Sequence, residues 1–254
     1  GFAGAALVER VAAAGIQLAN ELGHVGVDLR ARDGRVTDGG AAVRVLGVEL
    51  LHATFAGRRI GEETVTTLVE TRRIGGQAGR LAVATPAAAA ESADAIVLAV
   101  PWPAAQEAVA SLGDVNGKLL VDVTNPLLPD FSWLDDSWLD EQFPSGAERI
   151  ASWATGAHVF KAFNQTGAEN LSDPSRYTRK PVMFAAGDDV GAEKSKVLRL
   201  IADAGFESVY AGPLRVARLL EAYGMLWIHL ALQQGLGRAF AFGIERLDAS
   251  SETE

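Results

Sequence analysis

The chain of 254 residues has no cysteine, so thiolate catalysis, disulfides and cysteine-bound metals are excluded together. Its four histidines, His24, His52, His158 and His229, include no pair at metal-ligand spacing. No nucleophile, base and carboxylate line up as a triad or an acid–base pair, so neither a catalytic side chain nor a metal site is assigned. The residues able to do chemistry are the flat and polar groups that follow apolar runs. They are Pro101 and Trp102 after AIVLAV, Thr124, Asn125 and Pro126 after LLVDV, and Asn164 and Gln165 after VFKAF. An indole such as Trp102 can stack on a planar ring, and Asn125 or Asn164 can hydrogen-bond a carboxamide. The same residues can equally close strands and fill space; spacing alone leaves both readings open.

Stepping along the chain gives the elements that must position these groups. Residues 62–70 are expected to be helical and 81–84 a short strand. Pro86 to Ser92 is an alanine-rich helical turn that opens on proline, as helix starts allow. Ala95 to Val100 and Leu119 to Val123 are apolar on both faces, the pattern of buried parallel strands, with a helix at Pro103 to Leu112 between them. Residues 127–143, with Trp133 and Trp138 among several acids, have no periodicity and are expected to form a loop or lid. A helix at Gly146 to Trp153 and strands at Val159 to Phe163 and Val182 to Ala186 follow. Next come a helix at Ala192 to Ala204, a strand at Ser208 to Ala211, and a long apolar helix from Leu214 to about Phe242. Residues 248–254 are polar and expected to fray.

Strands alternating with helices predict an α/β fold: a Rossmann-like parallel sheet, a smaller C-terminal α/β part and a long C-terminal helix. Residues 1–165 are assigned to the nucleotide-binding domain, with 1–60 atypical, and 166–254 to a substrate and dimerisation part. In such sheets ligands bind at the carboxyl ends of the strands, which is where the polar groups fall. The net charge of −9 argues against nucleic acid or an anionic membrane as partner. No apolar run approaches the ~18 residues of a membrane span, and residues 1–15 lack the order of a signal peptide. A cytoplasmic protein is expected.

Several segments together resemble the F420-dependent NADP oxidoreductase family. They are Ala93 to Trp102 (ADAIVLAVPW), Val121 to Pro126 (VDVTNP), Ser145 to Glu148 (SGAE), Val159 to Asn164 (VFKAFN), Ala185 to Asp189 (AAGDD) and Ala211 to Leu214 (AGPL), continued by Ala217-Arg218 and Leu220-Glu221. The likeness covers residues 62–246, about three quarters of the chain. It implies hydride transfer between NADP(H) and coenzyme F420 or a flavin-like partner, chemistry in which the protein orients two flat rings and excludes water. By that resemblance Pro101, Trp102 and Asn125 border the nicotinamide, with Thr124 beside them. Lys161, Phe163 and Asn164 approach the second ring, and Gly212, Pro213 and Leu214 wall the same cleft.

The family opens with a glycine-rich turn that cradles the pyrophosphate at a helix N-terminus, and that turn is not intact here. One placement puts a strand at Val25 to Leu29, a crossover helix at Gly39 to Leu46 and a second strand at Val48 to Ala53. Arg58 and Arg59 then stand where the family carries basic residues for the 2′-phosphate, and the turn becomes Arg30 to Gly34. The other placement makes Gly1 to Gly4 the remnant turn, with residues 28–57 as an insertion. Arg30, Arg32 and Arg35 are either phosphate contacts or a solvated basic turn.

The expected function is an NADPH-dependent oxidoreductase. The alternatives are a Rossmann relative that has lost nucleotide turnover, serving as a binding protein or a cofactor-independent enzyme, and reduction of a small imine or carbonyl. The apolar C-terminal helix predicts a homodimer. Within it, Gly235-Leu236-Gly237 is expected to allow close helix approach and His229 to be a satisfied core or interface histidine; His158 is expected to cap a turn.

Overall fold

The computed structural model describes residues 85–247 and, before them, four two-residue strands. Val27–Asp28 (β1) pairs antiparallel with Leu46–Gly47 (β2), and Thr54–Phe55 (β3) with Arg58–Arg59 (β4). β1 falls within the strand expected at Val25 to Leu29. Its partner lies where the crossover helix should end, and the pairing is antiparallel instead of the parallel one a strand–helix–strand unit gives. The helix at 62–70, the strand at 81–84, the candidate turns with Arg30, Arg32 and Arg35, and the end at 248–254 lie outside the described residues, as do the side chains of Arg58 and Arg59.

The body is a five-stranded sheet in the order β5-β6-β7-β8-β9. Its strands are Ala95–Leu98 (β5), Leu119–Asp122 (β6), His158–Lys161 (β7), Val182–Gly187 (β8) and Glu207–Gly212 (β9). The helices are Pro86–Glu91 (α1), Ala105–Ser111 (α2), Gly146–Trp153 (α3), Ala168–Ser172 (α4), Glu193–Asp203 (α5) and Ala217–Ile228 (α6). β5, β6 and β7 are parallel, as is the pair β8–β9. This is the Rossmann-like α/β class expected, with one difference: β8 runs antiparallel to β7. The link between them carries α4, a five-residue helix of about 7.5 Å, and a single 3-10 turn at Pro174–Arg176. Neither is as long as a strand of four to six residues, so no helix carries the chain back to the start of β7. β8 therefore starts beyond the end of β7 and runs back, pairing Lys161 with Ala186 and Phe160 with Gly187.

Period-two alternation sorts the strands onto two layers. Val97, Val121, Phe160 and Met183 pack under α5 through Val197, Leu200 and Ile201. Ile96, Leu98, Leu120 and Val159 face α1, α2 and α3 through Ala89, Ala108, Val109 and Ile150. α1 begins on the Thr85 hydroxyl, which accepts from the Ala88 amide, followed by Pro86.

The C-terminal helix is present but shorter than the apolar run. α6 passes into a π-type turn, His229–Gln233, and stops. Gly235 and Gly237, at φ 72° and 74°, adopt the left-handed conformation that ends a helix, so they form a turn and not a helix–helix contact. The chain then folds back on the sheet. The Asn170 amide donates to the Arg238 and Phe240 carbonyls, the Trp227 indole N–H donates to the Phe240 carbonyl, and the Val182 amide donates to the Phe242 carbonyl.

Candidate functional site

Two charged residues sit inside apolar strands, and the sheet register brings them together. Asp122 ends β6 and Lys161 ends β7; they are direct partners in the parallel ladder, so both side chains leave the same face. Asp122 Oδ2 lies 2.6 Å from Lys161 Nζ. The other oxygen, Oδ1, accepts from the Thr124 amide and the Thr124 hydroxyl, both at 2.8 Å, which closes the turn after β6. Lys161 Nζ also donates to the Thr124 carbonyl at 2.8 Å and lies 3.1 Å from Glu221 Oε1 on α6. Glu221 in turn accepts from the Gly146 and Ala147 amides, at 3.0 and 3.1 Å, the first two residues of α3. Lys161 and Asp122 have no solvent-exposed surface and Glu221 has 1 %, so water screens none of these charges. One cation meets two carboxylates, and the positive end of α3 supplies the balance.

The electrostatics follow from that burial. Desolvation works against the Lys161 ammonium, but the Asp122 and Glu221 carboxylates outweigh it and hold its pKa above the ordinary lysine value. Burial pushes the Glu221 carboxyl above its ordinary value, and Lys161 and the Gly146 amide reverse this only in part.

A neutral network adjoins the ionic one. The Asn125 amide donates to the Asn164 carbonyl at 2.8 Å, and Asn125 Oδ1 accepts from the Asn164 amide at 2.9 Å. Asn164 also donates to the Leu220 carbonyl of α6 and accepts from Gln165, which grips both the N–H and the C=O of Phe184. Phe163, at φ 61°, turns the chain sharply just before Asn164. That conformation costs a bulky residue on the order of 1–3 kcal/mol. α6 approaches this corner through Gly224, where a Cβ would come within 2.6 Å of the Asn164 carbonyl oxygen.

The structure therefore brings Thr124, Asn125, Lys161, Phe163 and Asn164 to one corner of the sheet. Asn125 is half-buried, while the other four are buried behind it. Lys161, expected to approach a second ring, is fully buried among Asp122, Thr124 and Glu221. Trp102 was expected as a ring platform and is 3 % exposed. Its ring packs at 5.9 Å from both Trp138, edge-to-face, and Trp153, tilted, within the core. Its indole N–H finds no acceptor. Pro101 remains half-buried. Pro213 and Leu214 lie elsewhere, on an open groove of about 590 Å³ with Gln142, Phe143, Glu148 and Asp188. The loop 127–143 contains the half-buried Trp138 and the exposed Trp133, and among the described residues no metal cluster occurs. His158 opens β7, and His229 bonds Gln233 and Gln234.

Asp122, Glu221 and Gly224 were absent from the sequence-based candidates. The signal for the first was available: an acid in LLVDV and a lysine in VFKAF each require a buried counter-charge. Glu221 and Gly224 carry no such mark, since only the docking of α6 makes them matter.

An α/β sheet whose polar groups converge beyond its strand ends has the frame of a Rossmann-like protein, in which ligands bind at the carboxyl ends of the strands. The profile of the family "NADP oxidoreductase coenzyme F420-dependent" matches residues 55–126. The F420-dependent NADP reductase of Methanothermobacter thermautotrophicus is 31% identical over 159 residues, covering 61% of this chain and 68% of that protein. The corresponding reductase of Methanothermobacter marburgensis is 28% identical over the same length, covering 61% and 70%. Among solved structures, a candidate F420-dependent NADP reductase from Arthrobacter sp. FB24 superposes with a TM-score of 0.56 at 30% identity, covering 64% of this chain and 74% of that one. A protein of unassigned function from Sinorhizobium meliloti gives 0.52 at 26%, covering 62% and 72%. The chain belongs to the F420-dependent NADP reductase family, a family of oxidoreductases.

Proposed function

We propose that the chain transfers hydride between NADP(H) and coenzyme F420, with a flavin as the substitute partner to be tested. The observation that carries this, beyond family membership, is the Asn125 carboxamide. It is the partly accessible polar group beyond the end of β6, locked in place by Asn164 and backed by the buried polar and ionic network. A fixed amide at a strand end, with Pro101 half-exposed at the end of the neighbouring strand, fits a flat ring bearing a carboxamide. When bound, NADPH supplies the hydride and the second heterocycle accepts it.

In this reading Asn125 and Pro101 border the nicotinamide. Thr124, Phe163 and Asn164 shape the corner, and Lys161 and Trp102 act from behind it. Arg58 and Arg59 receive the 2′-phosphate, and Pro213 and Leu214 wall the approach of the second ring. Residues 166–254 form the substrate and dimerisation part. α6 leaves Leu219 and Leu226 exposed at 66 % and 46 %, a stripe suited to a second copy. No helix among the described residues is long and apolar enough to cross a membrane, and the cytoplasm is the proposed location. The antiparallel pairing of β1 with β2 favours a second reading, a relative that binds a ligand without turning over nucleotide.

Thermal unfolding with and without NADPH separates the two. Nucleotide at 100 times its dissociation constant adds about 2.7 kcal/mol of stability. A rise in melting temperature, followed by absorbance change on adding F420, FMN or FAD, supports the reductase. No shift at millimolar NADPH supports the binding protein.

A further inference from the structure

The ionic and neutral networks described above close on one another. Lys161 Nζ donates to the Thr124 carbonyl, and the next residue is Asn125. Asn125 exchanges two hydrogen bonds with Asn164. Asn164 donates to the Leu220 carbonyl, and the next residue is Glu221. Glu221 returns to Lys161. Six residues from β7, the turns after β6 and β7, and α6 thus form a ring closed by hydrogen bonds, one ion pair and peptide links, and the one ammonium in it is fully buried.

We propose that Lys161 is a positioning residue for hydride transfer, fixing the Asn125 carboxamide through this ring; the proposal rests on the nicotinamide site named above. Asn125 is held along two routes that both end on Lys161. One is its own backbone, through the Thr124 carbonyl. The other is α6, whose Glu221 fixes the height at which Leu220 and Gly224 meet the Asn125–Asn164 pair. In a low-dielectric interior each bond of such a ring polarises its neighbours, so opening it at the cation loosens every other member. Asn164 alone cannot replace the cation, because its amide already serves two acceptors, Asn125 Oδ1 and the Leu220 carbonyl.

The geometric demand is steep: misplacing a reacting group by about 1 Å can cost on the order of 100-fold in rate. Affinity for the dinucleotide resides largely in its phosphate and adenosine contacts, which the ring does not touch. Lys161→Met should therefore lower kcat on the order of 10- to 100-fold, with the KM for NADPH changed only a few-fold. The protein without nucleotide gives an independent readout. The Asn125 side-chain amide proton donated to the Asn164 carbonyl should exchange with solvent faster and shift in the NMR spectrum of Lys161→Met.

Glu221→Gln opens the ring at a different point while leaving the Lys161–Asp122 pair. It serves as the second variant where Lys161→Met does not fold, with the same direction of change expected. Val197→Ala, in the core under α5 on the opposite face, controls for general loss of stability and should keep wild-type kcat. Unchanged kcat per folded molecule together with an unchanged Asn125 amide in the ring variants would overturn the proposal. A wild type that binds no NADPH would instead remove the nucleotide site, while the amide spectra of the nucleotide-free proteins would still report on the ring.

Discussion

Two clusters share one face of the sheet and are built on opposite principles. At the end of β5, Trp102, Trp138 and Trp153 meet edge-to-face and tilted, at ring separations between 5.9 and 6.4 Å, and bury area. At the ends of β6 and β7, Asp122, Lys161 and Glu221 bury charge. The aromatic cluster stabilises roughly in proportion to the surface it removes from water, and it tolerates an indole N–H with no partner. In the ionic cluster Asp122 Oδ2 has no hydrogen-bond partner and relies on the Lys161 ammonium 2.6 Å away, so each charge is buried on condition that the others are there. Both occupy positions where the family resemblance placed ring contacts. The comparison shows that a side chain at a strand end can belong wholly to the interior, contributing buried area in one cluster and buried charge in the other.

Substitution should expose the difference. Lys161→Met leaves two buried carboxylates without their cation and is expected to cost about 3–5 kcal/mol. Trp102→Phe shortens a packed ring, discards the unpaired N–H, and should lose less than the about 3–5 kcal/mol of full truncation to alanine. Urea unfolding of the two variants side by side tests this; a Trp102→Phe loss equal to that of Lys161→Met would erase the contrast. Gly224→Ala adds one methyl against the Asn164 carbonyl and should cost about 1–3 kcal/mol as overpacking. A neutral Gly224→Ala would show that α6 can retreat from the corner.

Alkaline pH gives the smallest and most graded effect. Burial raises the Tyr223 hydroxyl to about 12, above its ordinary value of 10.0. The folded chain thus keeps that proton while the unfolded chain loses it. The associated stability is complete below pH 10 and is lost as pH rises towards 12. Lys161, raised likewise, adds a loss in the same direction at high alkalinity. The melting temperature should therefore decline from about pH 10 upwards, and less steeply in Tyr223→Phe. Parallel decline in both proteins would remove Tyr223 from the account.

Much of the sheet was legible because AIVLAV and LLVDV are short apolar runs bounded by proline or asparagine, the pattern of buried parallel strands. The reversal at β8 was not, because nothing in residues 166–181 announces that α4 is too short for a crossover. The end of α6 is hidden in the sequence because Gly235 and Gly237 interrupt an apolar run without interrupting its periodicity, and only their φ angles reveal the turn. For the site, Thr124, Asn125 and Asn164 were legible as strand-end residues. Trp102 looked available because its partners, Trp138 and Trp153, are distant in sequence and arrive only through folding. Lys161 was assigned a ligand-facing role although its position inside VFKAF, opposite an acid in LLVDV, already placed it in the interior.

The most direct test of the reductase assignment is isotopic. NADPH deuterated at the nicotinamide C4, on one face at a time, is incubated with the purified chain and oxidised F420, and the reduced product is analysed by mass spectrometry. Direct transfer in a fixed pose predicts that the label from one face, and not the other, appears in reduced F420. Label from both faces, label lost to water, or no reduction of F420 at all would contradict an oriented hydride transfer at this site.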